Sequence, residues 1–284
     1  MGKEDKVVSY GSSKRDQIER RSLMMKDAIM KTEKVTVSFG GLDAVKDVDF
    51  EVYPNEIVGL IGPNGAGKST FLNVLTGLVD LSAGKLIFEG KDVSKKKTHE
   101  FSYMGIGRTF QTLRLLHDST VIENVMLGYH KLSTKNMLKV IFRTSSFRKQ
   151  EQEIREKSLE KLKLVGCEHL ADVPVSKLTY FDRRKVEIAR AMAVEPKVLL
   201  LDEPAAGINP TETAMLMELL KELHASQKFS IVIIEHDMKL IMNLAHRVVV
   251  LDHGMKIADG LPEEVRNNKQ VIESYLGGGY HAGA

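Results

Sequence analysis

The stretch "GPNGAGKST", Gly62 to Thr70, constrains this 284-residue chain more than any other. It follows an unbroken apolar run, "IVGLI" at 57–61, and leads into the helical pattern "KSTFLNVLTG". Strand, glycine-rich loop and helix in that order make a phosphate cradle. Glycines 62, 65 and 67 let backbone N–H groups converge on a phosphate, and the helix that begins beside them adds its positive dipole end. Lys68 supplies a point charge for β- and γ-phosphates, and Ser69 a hydroxyl for Mg²⁺. A tight glycine turn without this chemistry is the alternative; the preceding strand, the lysine and the serine together argue against it.

Three further runs, "KVLLL" (197–201), "SIVII" (230–234) and "RVVVL" (247–251), are also nearly continuous in apolar residues. Strands buried on both faces of a parallel sheet read this way, and helical patterns between them cover the two sides. "KVTVSF" and "VDFEV" alternate instead, with Val35, Val37 and Phe39 on one face, which predicts half-exposed antiparallel strands at the front of the domain. Residues 121–166 carry no strand pattern. There "EQEIREKSLEKLKLVG" sets Ile154, Leu159, Leu162 and Val165 near one helical face that Gly166 ends. The fold class is therefore α/β: a P-loop NTPase core with an antiparallel β subdomain and an inserted, mostly α-helical subdomain over about residues 112–196. Residues 1–33 read as a charged, solvated extension, 34–277 as the domain, and 278–284 as a flexible tail.

Two more strand ends carry chemistry. In "VLLLDEP" Asp202 emerges at the C-terminal end of a buried strand, where open α/β sheets place ligands, and can hold Mg²⁺ directly or through water. Glu203 beside it is placed to orient or deprotonate an attacking water. In "SIVIIEHDM" His236 lies just past another strand end with acids on both sides. A lone histidine is more often structural, but this position favours a role at a γ-phosphate.

Composition narrows the function. With 41 basic and 38 acidic residues the formal charge is +3, too small and too dispersed to imply a nucleic-acid partner. The single Cys167 excludes an internal disulfide or a thiolate metal cluster and reads as a small buried hydrophobe. No run approaches the roughly 18 apolar residues that span a bilayer. The opening "MGKEDK" has neither the apolar core of a signal peptide nor a myristoylation pattern. The expectation is a soluble or peripheral protein. "RRSLMMKDAIM" could make at most a short amphipathic helix.

The P-loop residues 62–70, "GRTFQ" ending in Gln111, "LTYFDRRKVEIARAM" at 178–192, "LLLDEPAAGINP" and "IIEHDM" occur in the order and spacing of an ABC-type ATP-binding cassette, which the chain resembles over about residues 33–277. The resemblance implies ATP and Mg²⁺ as ligands and an ATPase activity coupled to transport. It implies that Asn64 and Thr70 complete the phosphate loop, that Phe39 stacks on adenine, and that Gln111 reaches the metal and links the nucleotide to a membrane subunit. Lys68, Glu203 and His236 would then be catalytic, and Ser69, Gln111 and Asp202 would hold the metal. Two cassettes of this family face each other head to tail, so each ATP lies between one chain's P-loop and the other chain's signature turn. The strings "FGGLDAV", "GRTFQTLRLLHDSTVIENVMLG", "DEPAAGINP" and "VIESYLG" are similar to one branch, the larger ATPase subunit of branched-chain (hydrophobic) amino acid importers. That branch implies a smaller paralogous cassette as partner in a heterodimer, integral membrane permeases, an extracytoplasmic solute-binding protein, and a place at the cytoplasmic face of the membrane. Importers of another small solute such as urea or an amide, and non-transport ATPases of the same type, are the alternatives.

The signature departs from the family's usual Leu-Ser-Gly-Gly-Gln, reading Leu-Thr-Tyr-Phe-Asp from Leu178 to Asp182. Thr179 keeps a hydroxyl at an N-cap position and Asp182 follows three residues on, a capping-box-like start to a helix. Tyr180, Phe181 and Asp182 put bulk and negative charge where phosphate approaches, so a weakened signature is expected beside a complete P-loop, Asp202, Glu203 and His236.

Overall fold

A computed structural model describes residues 27–129 and 145–276. Strands β1 (Met30–Phe39), β2 (Leu42–Val52), β3 (Ile57–Ile61), helix α1 (Lys68–Val74), β4 (Ala83–Phe88) and β5 (Lys91–Asp92) come first. Then follow α2 (Thr98–Tyr103), β6 (Ile106–Arg108), α3 (Val121–Met126), α4 (Ser145–Leu164) and α5 (Tyr180–Met192). The chain continues through β7 (Val198–Asp202), α6 (Pro210–Gln227), β8 (Ser230–Ile234), α7 (Met238–Leu244), β9 (Arg247–Asp252), β10 (Met255–Gly260), α8 (Pro262–Arg266) and α9 (Lys269–Leu276).

The four apolar runs become adjacent strands of a six-stranded sheet ordered β10-β9-β3-β8-β7-β6, parallel except for β10. Strand alternation divides their side chains between two cores. Val58, Leu60, Val198, Leu200, Val232 and Ile234 face α1 and the front sheet. Ile57, Ile61, Leu199, Leu201, Ile231 and Ile233 face the other way, toward α5, α6 and α7. The front sheet is antiparallel, ordered β2-β1-β4-β5. Val35 and Val37 are buried in it as expected, whereas Phe39, on the same alternation, reaches solvent at the hairpin end and is 55% exposed.

One boundary differs from the sequence reading. β1 begins at Met30, so residues 30–33 belong to the domain and not to the charged extension, because Met30 pairs with both Val52 and Phe88 and is fully buried. The expected charged extension over 1–26, part of the helical subdomain (130–144) and the tail (277–284) lie outside the described residues.

In the helical part, α4 buries Ile154 and Leu162, and Val165 just beyond it, while Leu159 is half-buried; Gly166 ends the face with a left-handed φ of 66°. Thr120 and Glu123 cap α3 reciprocally, fixing the direction in which the chain enters this part. The parallel strands then deliver Gly62, Glu203 and Glu235–His236 to one edge of the molecule, at the carboxyl ends of β3, β7 and β8.

Candidate nucleotide site

The phosphate loop is fixed by close packing as much as by flexibility. Gly67 caps α1 with φ +94°, and a Cβ there would stand 2.3 Å from the carbonyl oxygen of Ala44. Gly62, at φ +151°, would place a Cβ 2.0 Å from the carbonyl oxygen of Leu251. Only glycine fits either position. Lys68 is nearly buried, and its Nζ donates to the carbonyls of Gly62 at 2.8 Å and Pro63 at 2.9 Å. Burial holds its ammonium below the usual lysine range against the opposing pull of Glu203 and Asp202. Asn64 and Ser69 are exposed on the loop and Thr70 is half-buried.

Asp202 and Glu203 end β7 in different surroundings. Asp202 Oδ2 accepts from Arg108 Nη2 at 3.2 Å, while its Oδ1 is buried with no partner among the described residues. Burial pushes its carboxyl up, with Arg108 opposing. An orphaned, buried carboxylate oxygen within electrostatic reach of the Lys68 ammonium is a donor that fits a cation or its bound water. Glu203 takes a left-handed φ of 48°, uncommon for a residue with a side chain, and is held there by its amide's bond to the Ile234 carbonyl at 3.0 Å. Its carboxylate accepts from Gln111 Nε2 at 2.8 Å and lies 2.6 Å from His236 Nε2. Gln111, Glu203 and His236 are thus brought together, and the Gln111 side chain is engaged by Glu203. Phe39 lies apart from them, at the exposed end of the β1–β2 hairpin.

The signature turn has the expected cap and an unexpected orientation. Thr179 has extended backbone and its hydroxyl accepts from the Asp182 amide at 3.1 Å while donating to the Asp182 carboxylate at 2.7 Å. Lys185 pairs with that carboxylate at 2.9 Å. Burial alone would raise the Asp182 carboxyl; Lys185 and Thr179 outweigh it and hold the group below the usual carboxylate range. Phe181 points into the helical core, only 8% exposed, with Lys185 over its ring. The expectation that both aromatic rings crowd the phosphate approach is corrected here: position 181 on the helix faces the subdomain interior, which leaves Tyr180, 41% exposed, as the aromatic ring at the surface.

Three contributors escaped the sequence reading. Arg108 ends β6 and binds Asp202, Thr76 Oγ1 and the Leu72 carbonyl. Its place at a strand end was the available signal. Glu235 is buried, accepts from the amides of Ala205 and His236, and has its carboxyl raised by burial. Arg184 is fully buried, although "DRRK" reads as an ordinary solvated charge run.

A P-loop at the end of β3, a histidine at the end of the neighbouring β8 and a carboxylate pair at the end of β7 beyond it define a nucleoside triphosphatase of the cassette type. Residues 45–206 match the family described as ABC transporter, and residues 255–281 match one described as branched-chain amino acid ATP-binding cassette transporter. The chain is 41% identical over 253 residues to the high-affinity branched-chain amino acid transport ATP-binding protein LivG of Escherichia coli K12, spanning 89% of this chain and 99% of that protein. It is 39% identical, with the same coverage, to BraF of Pseudomonas aeruginosa, which carries the same description. Among solved structures it superposes on a nucleotide-free ATP-binding cassette from an ABC transporter with a TM-score of 0.76 at 32% identity, covering 88% of this chain and 99% of that one. The ADP conformation of an ATP-binding cassette gives 0.77 at 32% identity, covering 89% and 100%. The chain belongs to the ABC transporter ATP-binding family and is an ATPase of that family.

Proposed function

We propose that this chain is the ATP-hydrolysing subunit of an importer for branched-chain or other hydrophobic amino acids. The observation that carries the hydrolytic part is the Glu203 carboxylate, bracketed by Gln111 and His236 beside Asp202 and the P-loop. The cargo reading is supported by the likeness to LivG and BraF and by the match at residues 255–281.

In this reading Lys68 and the amides of residues 62–70 bind the phosphates, with Asn64 and Thr70 completing the loop. Phe39 supports the adenine. Mg²⁺ would be held by Ser69 and Asp202, with Gln111 close by, and would offset phosphate charge. Glu203 orients the attacking water, and His236, whose side chain is half exposed, faces the γ-phosphate. Thr179 and the free amides of the first α5 turn serve the nucleotide bound to a second, paralogous cassette.

Among the described residues no helix is long and apolar enough to cross a membrane, so passage of a solute requires separate permease subunits. A groove of about 330 Å³ between Thr76 and Leu78 just past α1, α2 and β6 on one side and Leu127, Gly128 and Arg190 on the other would receive a cytoplasmic helix of such a permease, with Phe110 in its lining next to Gln111. The helical segment 112–145 would share this docking; of it, residues 130–144 lie outside the described residues. The chain would then work at the cytoplasmic face of the membrane, with a solute-binding protein acting through the permease and no nucleic acid involved.

The test is to co-purify the chain with its permeases and solute-binding protein and measure ATPase stimulation by candidate solutes. Stimulation by leucine, isoleucine or valine supports the reading. Stimulation only by urea or an amide would replace the cargo, and an ATPase indifferent to every solute and to the permeases would overturn the transport role.

A further inference from the structure

Arg184 is the largest fully buried side chain among the described residues, and its two terminal nitrogens donate in four directions, toward both the Gln111 loop and Tyr180, while Nε has no partner among the described residues. Nη1 donates to the Phe110 carbonyl at 3.1 Å and to Glu187 at 3.2 Å. Nη2 donates to the Gln111 carbonyl at 2.8 Å and to the Tyr180 hydroxyl at 3.0 Å. Tyr180 and Arg184 stand one helical turn apart on α5, so ring and guanidinium stack along the same face, 5.4 Å between the guanidinium carbon and the ring centroid. The hydroxyl end of the Tyr180 ring lies beside Gly207, where a Cβ would be only 3.2 Å from a ring carbon. Gln111 in turn carries the side-chain bond to Glu203.

These contacts form one continuous path. It begins at Tyr180, in the turn that would face the nucleotide of a second cassette. It passes through a rigid, planar guanidinium to the main chain of Gln111, and ends on the carboxylate that serves this chain's own nucleotide. A guanidinium held in four directions cannot follow a shift of the α5 turn without pulling the Gln111 carbonyl, because its donors keep a fixed fork geometry. We propose that Tyr180 and Arg184 are positioning residues that couple the two nucleotide sites: closure of the α5 turn on the partner's nucleotide sets Gln111, and through it Glu203, in this chain's own site. The inference rests on the reading of Glu203 as the water-orienting group and of α5 as facing a second cassette.

The experiment uses the assembled transporter in which the partner cassette's catalytic carboxylate is changed to its amide, so that turnover reports only the site built on this chain's P-loop. Tyr180→Phe removes one hydroxyl and keeps the exposed ring, which separates the path from folding. It should lower kcat at that site by about threefold to tenfold, the scale of one net intramolecular hydrogen bond, with KM for ATP and the melting temperature nearly unchanged. Arg184→Lys keeps the charge and loses the fork, and should lower kcat further. A purely structural Tyr180 would move the melting temperature or nothing, and unchanged kcat in Tyr180→Phe overturns the coupling. Glu203→Gln in the same background is the control: if it keeps its turnover, the reading of Glu203 has failed and the outcome for Tyr180 is assigned to another route, which also removes the path as drawn.

Discussion

The carboxylate of Glu203 lies 2.6 Å from Nε2 of His236, and its second oxygen is taken by Gln111. A base clamped on both oxygens has one orientation, and glutamine can reproduce both contacts without the charge. Glu203→Gln should therefore fold normally and bind ATP with wild-type affinity while turnover in the assembled complex falls about 10²-fold or more. His236→Ala, which leaves the base in place but loosens it, should lose less. Steady-state hydrolysis and equilibrium nucleotide binding on the same preparations check both, and near wild-type hydrolysis by Glu203→Gln would remove Glu203 from its role.

Lys68 gives the opposite signature. Its ammonium donates to the carbonyls of Gly62 and Pro63, which holds the side chain along the loop. Lys68→Ala should raise the Kd for ATP at least about tenfold, the equivalent of one charge-assisted contact, as titration with a fluorescent ATP analogue would measure. Unchanged affinity would count against the assignment.

The glycines of the loop separate two costs. Gly65 has φ +79° and open space around a Cβ, so Gly65→Ala carries only the left-handed penalty of about 1–2 kcal/mol. Gly67→Ala adds a clash with the Ala44 carbonyl that backbone must relieve. Thermal unfolding should show a drop of a few degrees for Gly65→Ala and a clearly larger one for Gly67→Ala. Equal drops would mean that the Ala44 segment yields freely.

Much of this was legible in the sequence because it depends on local rules. Four apolar runs read as buried parallel strands, and strand ends place their next residues at a ligand edge, so Asp202, Glu203 and His236 could be named before any coordinates. The Thr179 cap was legible for the same reason, since capping needs only residues three apart. What was hidden depends on which side of a helix faces the core. Phe181 could be outward or inward from its spacing alone, and Arg184 is disguised among "DRRK" because its carbonyl partners, Phe110 and Gln111, lie more than 70 residues away. A strand end alone marks Arg108 only weakly, and the partners of Arg108 and Glu235 become visible once β6, β7 and β8 are known to be neighbours.

The Asp182–Lys185 pair predicts a pH effect with a definite sign. Asp182 is held below its ordinary range in the folded chain, so its contribution to stability is full above the unfolded carboxylate pKa and is lost as pH falls through the lower folded one. The difference in melting temperature between the wild type and Asp182→Asn should be present near neutrality and should close below about pH 4. A gap that persists unchanged into acid would mean that Asp182 caps α5 by shape and not by charge.

The inward orientation of Phe181 decides how the altered signature can be repaired. Glycine at 181 would empty a site in the helical core and add the glycine penalty, together about 4–6 kcal/mol. Phe181→Gly should therefore lower the melting temperature by more than ten degrees or so, with no gain in turnover. The remaining obstacle to phosphate is then the Asp182 carboxylate, half-neutralised by Lys185, with Tyr180 beside it. In a complex where this chain carries Glu203→Gln, turnover reports the partner's P-loop closed by this chain's α5 turn. There Asp182→Asn should raise the rate about threefold or more, limited by the compensation Lys185 already supplies. When the arrangement is reversed, the other site should change less, only to the extent that the Tyr180–Arg184 contacts transmit closure of the turn. If Asp182→Asn leaves the rate unchanged while Phe181→Gly raises it without loss of stability, the side chains of the first turn must rotate when the second cassette closes, and the acid is not what weakens this signature.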